Sequence, residues 1–137
     1  MKEKNHAKFK KIITDYCFDH NWKCSCNDEK ETIRFNVPLL DNSEQICIAS
    51  IIPSFYGNLI EIVSEIGEYN EQIHTKYLTE LLQTNQTMVY ARTQIDPIRT
   101  KFTVVARTLA SSTLEEEIEL MIKEIAWYAS KLKQKMN

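Results

Sequence analysis

Lys76–Leu132, KYLTELLQTNQTMVYARTQIDPIRTKFTVVARTLASSTLEEEIELMIKEIAWYASKL, is the stretch whose changing apolar period decides the fold. Up to Asn85, the residues Tyr77, Leu78, Leu81 and Leu82 recur at helical spacing, continuing a pattern that begins with Ile73 near Tyr69 or Asn70. Met88–Thr93 and Lys101–Leu109 then bring Val89, Tyr90, Phe102, Val104 and Val105, which favour a pleated surface. Asp96, Pro97 and Arg99 supply the turn between these two strands. Leu114, Ile118, Met121, Ile125, Tyr128 and Leu132 follow at alternating intervals of 4 and 3 residues, one stripe along a long helix. Ser111 or Ser112 can cap it. Ser112-Thr113-Leu114-Glu115 has capping-box spacing, and Glu115–Glu117 and the lysines 131, 133 and 135 complement the two ends of the helix dipole. A second strip, Ile122, Ala126 and Ala129, makes the apolar surface wider than packing on a sheet requires. Most of it is expected to be core, and its outer edge, with Trp127, is the candidate for a subunit or partner contact.

The first half extends the same architecture. Phe9, Ile12, Ile13, Tyr16 and Cys17 mark an amphipathic helix over 2–20, with Asn21 as its stop. Four extended segments follow at 22–26, 32–37, 45–52 and 59–66. The second alternates Ile33, Phe35 and Val37 with Arg34 and Asn36, the period of a half-buried strand. The third is apolar on both sides, Ile46 and Ile48 against Cys47, Ala49 and Ile51, which predicts a central position. In the fourth, Glu61 and Glu65 oppose Ile60, Ile62 and Ile66 and face water unless a partner covers them. The expectation is an α+β fold, an antiparallel sheet with helices packed on it in the order α-β-β-β-β-α-β-β-α, forming one domain over residues 1–137.

Composition narrows the function. The 137 residues include 17 Lys and Arg against 19 Asp and Glu, a formal charge of −2, which argues against a broad nucleic-acid surface. With only Gly57 and Gly67 as glycines, there is no dinucleotide fingerprint, P-loop or nucleophile elbow. No secretory leader or membrane-length apolar run is evident, so a cytoplasmic protein with reduced Cys17, Cys24, Cys26 and Cys47 is expected, with no membrane partner. Cys24-Ser25-Cys26 lacks the paired spacing of a zinc site even with His20 nearby; Cys24 and Cys26 are expected as small apolar residues on one strand face, and no metal or cofactor is assigned. His6, His20 and His74 form no nucleophile, base and orienter set. Asp15 and Asp19 are read as surface partners of nearby lysines. Arg92, Arg99, Lys101 and Arg107 make a modest basic set around the last hairpin, of which Arg92 and Arg107 on paired strands can either bind an anion or meet Glu61 and Glu65, and the second is favoured. No catalytic residue and no enzyme activity are assigned.

The quoted stretch also resembles the YbjN family, which has the type III secretion chaperone-like fold. The similar features are a helix ending in Asn85, a strand, an acidic turn at Asp96, a strand ending before Ser111 and a long final helix, with FNVPLL and IASII similar to the paired strands before the middle helix. The resemblance implies an antiparallel sheet covered by helices and a homodimer. It also implies a chaperone-like or regulatory role, since secretion chaperones of this fold hold effector segments on their surface and do not hydrolyse nucleotide. The leading expectation is a non-enzymatic domain that binds a protein partner or its own copy through apolar surface, with Trp127, Tyr128, Ile125 and Leu132 as contact residues, at a strand edge or in a groove. The alternative is a small-molecule binding domain or enzyme, with a pocket between sheet and final helix lined by Tyr90, Phe102, Tyr128 and Trp127 and anchored by Arg92 or Arg107.

Overall fold

The structure, a computed structural model, describes residues 2–68, 75–96, 98 and 100–136, with the side chains of 2–6, 75, 76 and 136 left outside that description. Among the described residues the order is α1 (Lys2–Asp19), β1 (Cys24–Asn27), β2 (Thr32–Pro38), β3 (Glu44–Ser54), β4 (Gly57–Glu68), α2 (Thr75–Asn85), β5 (Ala91–Asp96), β6 (Lys101–Leu109) and α3 (Glu115–Met136). The strands form one antiparallel sheet in the spatial order β1-β2-β3-β4-β6-β5. The α+β architecture and element order agree with the sequence reading.

Three helices lie on one side of this sheet. Phe9, Ile13 and Cys17 of α1 are buried, and Asn21 closes the helix in the left-handed conformation (φ 59°), as its residue type predicts. From α3, Ile118, Met121, Ile122, Ile125, Ala126, Ala129 and Leu132 join the core with Ile33, Phe35, Cys47, Ala49, Ile60, Ile62, Phe102 and Val104 from the strands. β2, β3, β4 and β6 contribute alternate residues, so one face of the sheet is packed against the helices. Tyr77 secures α2: its ring meets Phe102 edge-on at 5.6 Å, and its hydroxyl donates to the Leu132 carbonyl at 2.7 Å. Gln45 and Ser64 are buried polar residues of the same layer, and they satisfy each other at 2.7 Å while the Ser64 hydroxyl donates to the Ile46 carbonyl at 2.6 Å.

Four local expectations need correction. β5 spans Ala91–Asp96 rather than 88–93, because the Glu124 carboxylate of α3 accepts the backbone N–H groups of Val89, Tyr90 and Ala91 at 3.0, 2.8 and 2.8 Å. The capping box does not form as read. Instead the Thr113 hydroxyl turns back to the Leu109 carbonyl and to Thr108, and the Leu114 carbonyl accepts the N–H groups of Glu117 and Ile118. Leu82 and Leu114 are exposed although they share the apolar period, since each sits past the edge of its packed stripe. Cys24 and Cys26 are also exposed, on a four-residue edge strand. The expected helix start at 69–74, with Ile73 and His74, lies outside the described residues, as do Arg99 and the His6 side chain.

Candidate functional site

Of the four contact residues expected on α3, the structure divides two from two. Ile125 is 0% and Leu132 1% exposed, so both are core residues with almost no surface to offer a partner. The wide apolar surface of α3 is consumed by packing, because the curved sheet meets both strips at once. Trp127 is 52% exposed, lies edge-on to Tyr128 at 4.8 Å and carries the Lys131 ammonium over its ring at 4.6 Å. The Tyr128 hydroxyl is engaged with Thr87 Oγ1 at 2.9 Å. These two aromatic residues border a hollow of about 460 Å³ between α2 and α3.

The pocket considered between sheet and final helix is filled: Phe102 is buried in the core, and Arg107 points to the other face. There its Nε donates to Glu61 Oε2 at 2.6 Å, as the favoured reading expected of Arg107, while Glu65 Oε2 meets Lys101 Nζ at 3.0 Å in place of the expected Arg92. Lys11 and Asp15 pair at 2.9 Å along α1, also as expected.

The larger concavity, about 610 Å³, is lined by open-face residues of the sheet that include Arg34, Ile46, Ile48, Val63 and Arg107, with Lys133 of α3 also bordering it. Strand pairing explains its composition. Residues in register across antiparallel strands share a face, so side chains stand in rows across the sheet. One row is Ile52, Leu59 and Leu109. The next is Ser50, Glu61 and Arg107, where the ion pair sits. A third runs Arg34, Ile48, Val63, Val105 and Arg92 from β2 to β5. Val105 is only 1% exposed, screened by its neighbours, yet it is not part of the helix-side core. Thr103 is 3% exposed, and its Oγ1 has no hydrogen-bond partner among the described residues. An antiparallel sheet can leave one face to water, but such a face is ordinarily polar. This one carries apolar rows.

Both sheet edges are guarded. β1 is four residues long. On β5 the Ala91 N–H is held by Glu124, and the Thr93 N–H donates to Asn85 Oδ1 at 2.6 Å, which occupies edge donors that strand addition would need. Sequence reasoning missed Glu124 and Asn85 in this role, since each acts on backbone far away along the chain. It also missed the open face, although the two-sided apolar pattern of 45–52 was its signal.

Burial pushes the Cys17 and Cys47 thiols up to about 12, with the neighbouring Cys24 adding to the effect at Cys17. Among the described residues no group of three or more His, Cys, Asp or Glu is arranged to hold a metal ion. No helix among them is long and apolar enough to cross a membrane.

No family model matches the chain, so the likeness to YbjN proteins has no support at the family level. No curated protein matches it either. Solved structures do. A chain of the HopA1–SchA chaperone–effector complex matches with a TM-score of 0.64 and 8% identity, over 94% of this chain and 95% of that one. A chain of the ExsC–ExsE complex matches with a TM-score of 0.51 and 11% identity, over 93% and 92%. The fold is that of the chaperone-like class named by the sequence resemblance.

Proposed function

We propose that this domain is a non-enzymatic, chaperone-like or regulatory protein that seats a segment of a partner polypeptide on the open face of its sheet. The observation that carries the reading is the pair Ile48 and Val63, partly exposed apolar side chains in register on the side no described helix covers, with the buried Val105 continuing their row. The guarded edges favour the face over strand addition. The shared fold with a chain from a chaperone–effector complex supports a protein partner. In this reading the protein works in the cytoplasm, with its thiols reduced.

A random peptide library panned against the full chain tests the proposal. Peptides with apolar side chains are expected to be enriched, and the double variant Ile48→Thr/Val63→Thr is expected to bind them about tenfold more weakly, the loss of apolar contact at two positions, with little change in Tm. No enrichment, or undiminished binding to the variant, overturns it. A homodimer through the same rows is the second occupant to consider, because Ile46, Ile48 and Leu109 remain partly exposed on that face. Light scattering resolves it: a dimer that the double variant converts to monomer makes the partner a second copy.

A further inference from the structure

The charges that flank the apolar row narrow the partner's chemistry, on the premise that the open face is the binding surface. Arg34 and Arg92 end the row on β2 and β5, both are exposed, and neither has an ion pair among the described residues. The carboxylates that could have answered them are engaged: Glu61 holds Arg107, Glu65 holds Lys101, and Glu44 accepts from the Asn36 amide at 2.7 Å. The face therefore presents an apolar strip with a free guanidinium at each end. Neighbouring strands lie about 4.8 Å apart, so four spacings put the two arginine Cα positions about 19 Å from each other.

A sheet face offers no ladder donors, unlike an edge, so an occupant must satisfy its own backbone polar groups. An α-helix does so, and its rise of 1.5 Å per residue covers about 19 Å in about 13 residues. We infer that the partner segment is an amphipathic helix with an acidic residue at each end of its apolar face, about 14 positions or four turns apart so that both share that face, meeting Arg34 and Arg92. Its apolar side chains cover Ile48 and Val63, and its carboxylates accept from the two guanidiniums.

Two synthetic helices of about 18 residues test this, identical except that one carries Glu and the other Lys at the two bracketing positions. Fluorescence anisotropy at low salt should show the Glu peptide binding the full chain about tenfold more tightly, the scale of two exposed ion pairs set against two repulsions. The Arg34→Glu/Arg92→Glu variant should reverse that order, and added salt should shrink the difference. Equal affinity of the two peptides, with both weakened by Ile48→Thr/Val63→Thr, overturns the acidic partner but leaves the face reading standing. Failure of both peptides to bind, or binding indifferent to Ile48→Thr/Val63→Thr, overturns both.

Discussion

Thr103 shows how a single residue departs from what its strand pattern implies. It occupies a buried position on the open face with its hydroxyl unsatisfied among the described residues. Leaving a buried donor unpaired is costly, whereas an isostere that removes the group is neutral or favourable. Thr103→Val should therefore raise stability by about 0.5–1 kcal/mol, read as a higher urea midpoint at unchanged slope. The thiols Cys17 and Cys47 make an opposite kind of statement. In the unfolded chain a thiol loses its proton near pH 9, while burial keeps these two protonated to about 12. The folded state thus holds protons that the unfolded state has released, so stability is fully present below pH 9 and is lost as pH rises toward 12. Each such group contributes a slope of up to about 1.4 kcal/mol per pH unit in that window. Tyr77, also raised to about 12 by burial, joins above pH 10. Denaturation midpoints between pH 8 and 11 should fall, and Cys47→Ala should flatten the decline.

At the scale of the element, α3 carries two jobs on two faces, and its periodicity revealed only one. The stripe from Ile118 to Leu132 is core, as spacing implied. What spacing alone left open was how much of the apolar width the sheet would absorb, and so Ile125 and Leu132 were expected at a contact while the structure buries them. Ile125→Ala should cost about 2–4 kcal/mol, the range for cavities in a packed core, whereas Trp127→Ala should cost under about 1 kcal/mol. Thermal unfolding of the two variants compares them directly. The polar face holds Glu124, whose carboxylate gathers three backbone N–H groups before β5. Hydrogen bonds to a charged group are stronger than neutral ones, so Glu124→Ala should lose about 1–2 kcal/mol and speed amide exchange at Val89–Ala91. Unchanged exchange there would show that the turn is held by something else. Residues 88–90 read as strand from their β-favouring side chains, but a carboxylate 35 positions away from Val89 takes their backbone first.

For the whole molecule the decisive fact is that three helices share one side of six strands. β3 displays both consequences: Ile51 faces the core and Ile48 the open side. Ile51→Thr should destabilise by about 2 kcal/mol or more, since it loses apolar contacts and buries a hydroxyl, while Ile48→Thr should stay within about 0.5–1 kcal/mol. Similar losses from both would mean that the open face is covered. Sequence by itself determined the class, the element order and nearly every inward-facing residue, because periods of 3.6 and 2 are local consequences of backbone geometry. It also anticipated the pairing of Arg107 with Glu61, though not that Lys101 rather than Arg92 would meet Glu65. Only the tertiary structure decided which side of β3 the helices cover, which strands become edges, and which arginines are left without a carboxylate. Those outcomes depend on the order of strands in space and on contacts between residues far apart in the chain, and a local period carries no information about either.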